Sequence, residues 1–378
     1  MRILTLSHEY PPIGGGGGKA AQDLCVGFAR MGNAVSMITA HYANLATKEI
    51  LDGVEIQRVR SLRFKPYKAG AFTMAAFVLR GWIKARSEIK RQKPDLIHVH
   101  FAVPAGWIAY LLWREFKIPY IITTQLGDVP GGVPQKTDRW FKWVYPFTPA
   151  IWKNAARVIA VSAFTRNLVL AKYPVDVQII HNGVQLESIH PEDLAVQVPP
   201  VIVFAGRFTQ QKDPIQIIRT LSELKDLSWR CIMVGDGPLR SDILEVIDTF
   251  GIRDRFHFTG WISPVEVREI FLKSDILFMP SLSEGLPLVG VQALAAGLAL
   301  LVSDIGGFID LIEEGQNGYK LPPGNHHDWE KMLRRMLSNP ELTNEFKKHS
   351  LKLAERFDIN RIVSQYIEIF NKVVNQSN

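Results

Sequence analysis

Cysteine is nearly missing from this chain. Cys25 and Cys231 are the two in 378 residues, far apart and without metal-type spacing, so neither a disulfide framework nor a cysteine-rich zinc site is available. Two buried thiols in a reducing compartment are expected instead. A secretory leader is also wanting: MRILTLSHEY has neither a long apolar stretch nor a small-residue cleavage site, which points to the cytoplasm. Short-period repeats and low-complexity tracts are lacking, apart from the glycine run Gly14–Gly18. The uncharged run Leu286–Ser303 is barely short of a membrane span, yet Pro287, Gly290 and Gly297 interrupt it, so it is expected to fold as buried loop, helix and strand. With 47% hydrophobic and 21% charged residues, the chain reads as globular and long enough for two domains.

Acidic residues are scarce in the first half. Residues 1–190 balance at +12 and residues 191–378 at −5, and between Arg58 and Lys93 eleven basic residues face one acidic residue, Glu88. Such a run is either a solvated helix face or a positive field for an anionic partner such as a phospholipid surface. No nucleic-acid recognition module accompanies it, so no nucleic-acid partner is expected.

What is present is a repeated alternation of short β-rich runs with helical ones. Ile3–Ser7, Ala34–Thr39, Glu55–Arg60, Leu96–Phe101, Tyr120–Thr124 and Val158–Val161 read as strands, separated by helices such as Lys19–Met31 and Phe72–Arg91. The pattern restarts with Val201–Ala205, Cys231–Val234, Phe256–Thr259, Ile276–Met279 and Leu300–Ser303, continuous apolar runs that suit strands buried on both faces. Ser263-Pro264-Val265-Glu266 is a helix start with N-cap, proline and capping-box glutamate. The Pro-rich stretch HPEDLAVQVPP (190–200) reads as a linker. The expected class is α/β, with two doubly wound parallel sheets and ligand sites at the carboxyl ends of their strands.

The chemically suggestive residues fall at such strand ends. HEYPPIGGGGGKAAQD follows the first strand; its glycines allow close backbone approach to an anion ahead of a helix, or merely a flexible loop. It does not fit a Walker loop, and the second strand ends in ITAHY without the carboxylate that a dinucleotide site needs. In FAGRFTQQKDP, Arg207 and Lys212 sit on one strand-to-helix turn, a forked donor and a point charge suited to a diphosphate. Glu284 stands in the loop before the helix Pro287–Ala296, where a carboxylate accepts sugar hydroxyls and the amides of Leu286–Leu288 face a phosphate. Gln292, one turn into that apolar helix, needs a polar partner if buried.

From end to end the sequence resembles the retaining glycosyltransferases of the GT4 family, with the GT-B fold of two Rossmann-like domains facing across a cleft. The resemblance rests on the Gly-rich loop, PDLIHVHF, VIAVSAFTR, IIHNGV, FAGRFTQQKDP, VGDGPLR, FTGW, PSLSEGLPLVGVQALAAG and VSDIGG, in that order. It implies an acceptor-binding domain over 1–190, a nucleotide-sugar-binding domain over 191–357, and a terminal helix, 358–378, returning to the first domain. It implies transfer of a hexosyl group, with retention, from a UDP- or GDP-type sugar to a hydroxyl. Arg207 and Lys212 would hold the diphosphate, Glu284 the sugar hydroxyls, and His100 would lie beside the transferring carbon. Gly15, Gly16, Gly17, Gly235, Trp261, Ile262, Leu286, Pro287, Leu288 and Gln292 would line the donor site; Gln125, Asp128 and Asn182 would stand on the acceptor side. No Asp-x-Asp occurs, so the two cations would do the electrostatic work of a metal, and neither metal nor other cofactor is required.

Two positions depart from the family pattern. Gln292 stands where the second glutamate of Glu-x7-Glu usually binds the nucleotide ribose, and Gln125 where many members carry histidine. A non-catalytic binding subunit on the same fold is therefore the rival expectation. Phe64, Tyr67, Phe72 and Phe77 within the basic run, and aromatics of DRWFKWVYPFTPAIW (138–152), suit docking on the cytoplasmic face of an anionic membrane, with a lipid-linked or cell-envelope polysaccharide precursor as acceptor.

Overall fold

A computed structural model describes residues 1–65, 69–133, 141–189, 191 and 193–377. Tyr67, Asp138, Arg139 and Trp140, and the linker residues His190 and Glu192, lie outside the described residues. The chain forms two units, Met1–Gly183 with Ile359–Asn378, and Val184–Asp358. The first division lies upstream of the 190–200 stretch because Val184 already belongs to the second unit: its N–H donates to Phe357 O (2.9 Å) and it bridges to Asp358.

The first unit holds β1 (Arg2–Leu6), β2 (Ala34–His41), β3 (Lys48–Leu51), β4 (Val54–Arg60), β5 (Leu96–His100), β6 (Tyr120–Thr124), β7 (Arg157–Ala160) and β8 (Val177–Ile179). Their order in the sheet is β3-β4-β2-β1-β5-β6-β7-β8, parallel throughout except for the β3–β4 hairpin. Side chains alternate between two cores. Ile97, Val99, Ile122 and Val158 meet helices Ala71–Gln92 and Ala105–Phe116 on one face. Ile3, Leu96, Ile121 and Ile159 meet Phe28, Ile362, Tyr366 and Phe370 on the other, where helices Gly16–Arg30 and Ile359–Ser377 pack together.

The sequence pattern misses β3 and β8. β3 is a mostly exposed edge, and its signal is the turn Asp52-Gly53, both residues at positive φ (49° and 79°), as a two-residue hairpin requires. β8 is three residues long and buried only at Val177. Cys25 and Cys231 are free, buried thiols whose pKa burial pushes upward.

The second unit holds β9 (Val201–Ala205), β10 (Arg230–Val234), β11 (Phe256–Gly260), β12 (Ile276–Met279), β13 (Ala299–Ser303) and β14 (Gly318–Leu321), ordered β11-β10-β9-β12-β13-β14 and all parallel. Counted from its own first strand this is 3-2-1-4-5-6, the Rossmann order. Both units are thus doubly wound α/β. The uncharged run resolves as loop, helix Leu288–Ala295 and β13, and no helix among the described residues is long and apolar enough to cross a membrane. The capping box forms, with Glu266 Oε2 accepting from Ser263 N (2.7 Å) and Ser263 Oγ from Glu266 N (3.3 Å).

One buried ion pair anchors the second unit. Asp275 accepts from Lys347 Nζ (2.7 Å), Val201 N (2.8 Å) and Gln197 N (3.2 Å), tying helix Pro340–Ala354 and the approach to β9 to the foot of β12. Both side chains are almost fully buried. Removing the cation strands a buried carboxylate, so Lys347→Ala is expected to destabilise the second unit by about 3–5 kcal/mol in denaturant titration. A loss below about 1 kcal/mol, the range of exposed pairs, would contradict the anchoring role.

Candidate active site

In each sheet two neighbouring strands send the chain in opposite directions, and the crevice opens beyond their carboxyl ends. In the second unit these strands are β9 and β12, and their following loops are stitched together. Leu282 N donates to Gln211 O (2.8 Å) and Gln211 Nε2 to Ser283 O (2.9 Å). That brings Lys212 against Glu284, Nζ donating directly to Oε1, with the carboxylate buried and the ammonium partly so. Arg207 lies five residues before Lys212 in the same loop and is half-buried.

Neighbouring loops close on this pair at distances that exclude side chains. A Cβ on Gly307 would lie 2.3 Å from Glu284 O, and one on Gly235 would lie 2.1 Å from Gly206 O. Gly235 (φ +117°) also donates to Gly260 O (2.9 Å), linking the β9, β10 and β11 ends. Trp261 follows, 62% exposed, then half-buried Ile262. Leu286, Pro287 and Leu288 are buried at the start of helix Leu288–Ala295. Pro287 has no N–H, so only Leu286 and Leu288 of that trio can donate amides, a correction to the expectation of three. Gln292 is half-buried, and its side chain makes no hydrogen bond among the described residues.

In the first unit the opposed strands are β1 and β5. His100 ends β5, fully buried, with neither ring nitrogen hydrogen-bonded among the described residues; burial lowers its pKa to about 3. Phe101 follows at φ +68°, a left-handed conformation costly for an aromatic residue. Its ring lies over Gly17, where a Cβ would come within 2.5 Å. The Gly15 N–H donates to Glu9 Oε2 (3.2 Å), and helix Gly16–Arg30 begins just beyond. The glycine loop therefore wraps a carboxylate of its own chain.

Asp128 clamps two loops, accepting from Ala102 N (2.7 Å) and Gln125 N (3.0 Å), and burial lifts its carboxyl pKa to about 6. Gln125 Oε1 accepts from Asn182 Nδ2 (3.1 Å), while Gln125 Nε2 is buried with no hydrogen-bond partner among the described residues. The residues read from the sequence thus form two clusters: Gly15–Gly17, His100, Gln125, Asp128 and Asn182 in the first unit, and the remainder in the second.

Sequence reading missed Glu9, His8 and Arg63. The Arg63 guanidinium is fully buried, donates to His8 O (3.0 Å) and Lys65 O (3.1 Å), and lies 3.8 Å from Glu9. The polar dipeptide His8-Glu9, a few residues before the glycine run, was the available signal.

The basic run also needs correction as a continuous positive field. Arg58 pairs with Glu49, Arg63 with Glu9, Lys84 and Arg91 with Glu88, and Arg86 with Glu115. Phe77 is core rather than surface. Arg60, Lys65, Arg80, Lys90 and Lys93 stay exposed, with no carboxylate partner among the described residues. No group of three or more His, Cys, Asp or Glu among the described residues is placed to hold a metal ion.

With this geometry in view, residues 14–188 match the model of Glycosyltransferase Family 4 and residues 187–352 that of Glycosyl transferases group 1. Together the matches span most of the chain, which belongs to the GT-B-fold glycosyltransferases related to family 4. An uncharacterized glycosyltransferase of Methanocaldococcus jannaschii is 26% identical over 90% of each chain. Sucrose-phosphate synthase from Thermosynechococcus elongatus superimposes with a TM-score of 0.85 at 20% identity over all of both chains. Anabaena HepE, solved with UDP and glucose, gives 0.78 at 18% identity over 98% of this chain and all of its own.

The buried imidazoles set a pH dependence. Burial holds His8 at about 4, His100 at about 3 and His98 well below its ordinary value, so these rings bind protons only on unfolding. Their stabilising contribution is complete above roughly pH 6.5 and is lost as pH falls towards the folded values. Asp128 and Asp23 oppose them, since burial raises both carboxyls and makes the fold take up a proton first, but they are two groups against three. The denaturation midpoint of the first unit is expected to fall between pH 7 and pH 4.5, and His100→Gln to flatten that slope; an unchanged slope would contradict it.

Proposed function

We propose that this protein is a retaining glycosyltransferase moving a hexosyl group from a UDP- or GDP-type sugar to a hydroxyl of a lipid-linked or cell-envelope polysaccharide precursor. The observation that carries the reading is the contact between Lys212 and Glu284 at the β9–β12 crevice. It joins a cation suited to a diphosphate with a carboxylate suited to sugar hydroxyls, and the HepE structure with UDP and glucose supports a donor of this kind.

On donor binding the diphosphate would replace Glu284 as the partner of Lys212, freeing the carboxylate for the sugar. Arg207 and Lys212 would then stabilise charge on the leaving nucleotide as the glycosidic bond breaks. The acceptor hydroxyl would attack the anomeric carbon on the face from which the nucleotide departs, its proton passing to a leaving phosphate oxygen, so that configuration is retained. His100 would lie at the reacting sugar. Gln292 would meet the ribose without charge assistance.

The acceptor side rests on a surface feature. Phe72, Leu79, Ile83 and Lys90 share one face of helix Ala71–Gln92, with Phe64 86% and Phe72 89% exposed beside Arg60, Lys65 and Arg80. That combination suits shallow insertion at the cytoplasmic face of an anionic membrane. Trp143 and Phe147 are also exposed, whereas Trp152 of the same segment is core.

Purified protein is expected to turn over at least one member of a UDP- and GDP-sugar panel, with anomeric retention seen by NMR. Glu284→Gln and Lys212→Ala should each lower turnover by about 100-fold or more, the scale of losing one preorganised charge contact. Gln292→Glu should tighten donor binding about threefold to tenfold by restoring a charge-assisted hydrogen bond. Absence of turnover with every donor would favour the binding-subunit reading. Separately, co-sedimentation with phosphatidylglycerol vesicles should exceed that with phosphatidylcholine and drop in a Phe64→Ser/Phe72→Ser variant; equal sedimentation would exclude the membrane-bound acceptor.

A further inference from the structure

His100 presents a problem of orientation. Its ring is fully buried and neither nitrogen is hydrogen-bonded among the described residues, so packing must hold it. The polar ring against it is His98, with centroids 4.4 Å apart; the two histidines, two residues apart on β5, project from the same face. His98 in turn sits among Phe28, Tyr366 and Phe370, with ring centroids 5.2–5.7 Å away.

One hydrogen-bonded chain fixes His98. Its Nε2 lies 2.9 Å from Thr123 Oγ1, which lies 3.1 Å from Tyr366 Oη. Thr123 pairs with His100 across the β5–β6 register, so it stands beside both rings. Tyr366 belongs to helix Ile359–Ser377, is 1% exposed, and reaches Thr123 across 243 residues of sequence.

The direction of the chain follows from counting unmet groups. If Tyr366 donates to Thr123 and Thr123 donates to His98 Nε2, both hydroxyl protons are used and only the Nδ1–H of His98 is left over. The reverse direction leaves the Tyr366 O–H without an acceptor as well as the bare Nδ1. Each buried unmet group carries a penalty, so the first arrangement is favoured.

We infer that Tyr366 is a positioning residue for His100, acting through Thr123 and His98 to set the tautomer and tilt of the ring on which His100 rests. The inference deepens the proposed reaction and rests on it for the role of His100. Its consequence is that the terminal helix, remote in sequence, is part of the apparatus that orients the reaction centre.

The test uses the full chain with histidine-selective ¹⁵N labelling, assigned with His98→Asn and His100→Gln. His98 should show the Nδ1–H tautomer. Tyr366→Phe, which keeps the ring and removes only the hydroxyl, should shift the ring signals of both His98 and His100, and so should Thr123→Val. Turnover of the donor accepted in the panel should fall about threefold to tenfold in Tyr366→Phe with donor KM unchanged, the scale of one net hydrogen bond. That loss should vanish in a His100→Gln background. Unmoved His100 signals in Tyr366→Phe, or an equal loss of turnover in both backgrounds, would overturn the inference. If no donor in the panel turns over, the proposed reaction fails instead, and the ring signals alone decide whether Tyr366 holds His100.

Discussion

A right-handed crossover between parallel strands leaves little freedom in where a doubly wound sheet can bind anything. Once β9 leads outward to β10 and β12 leads the other way to β13, the chain departs in opposite directions and leaves a crevice between the two strand ends, which only the loops at its lip border. The same reversal occurs between β1 and β5. Most residues with a chemical claim in this protein stand at one of those two gaps or on a loop leaning against one; Gln292 and Tyr366 belong to helices. The helices supply the cores, but the reversal decides where a polar side chain can be both held and reached.

Within that constraint the two units solve the electrostatic problem similarly. A charged side chain at a crevice must be held in a partly dry setting, and here Lys212, Glu284 and Glu9 are held by a group of opposite sign from an adjoining loop or a backbone amide. Lys212 rests on Glu284, while Glu9 rests on the Gly15 amide with Arg63 nearby. Such arrangements keep buried charge tolerable and leave the same groups available to an incoming ligand of matching charge. The crowding that forbids side chains on Gly235 and Gly307 limits the directions in which those groups can turn.

Much of this was legible from local pattern. β9 and β12 are buried along their whole or nearly whole length, so their apolar runs are unbroken and easily recognised, while β5 is as buried but carries His98 and His100. Arg207 and Lys212 stood out as two cations on one strand-to-helix turn, and Glu284 as a carboxylate in the loop before an apolar helix. What escaped depends on residues far away in sequence. The run Arg58–Lys93 appears strongly basic because Glu49 and Glu115, which neutralise part of it, lie outside it. Arg63 reads as a surface cation until the fold buries it. β14 has only Tyr319 and Leu321 as large apolar residues, too few to mark a strand by periodicity. Nothing near His98 foretells Tyr366.

The placement of helix Ile359–Ser377 also bears on how the chain can be made. The face of the first sheet that carries His98, against which Phe28 packs, is completed by Tyr366 and Phe370, which follow the entire second unit in sequence. A ribosome therefore delivers the first unit with one face covered only by helix Gly16–Arg30 and must finish the second before the rest of the cover arrives. The half made first is the half completed last, and in the interval its exposed apolar face is a natural client for a chaperone.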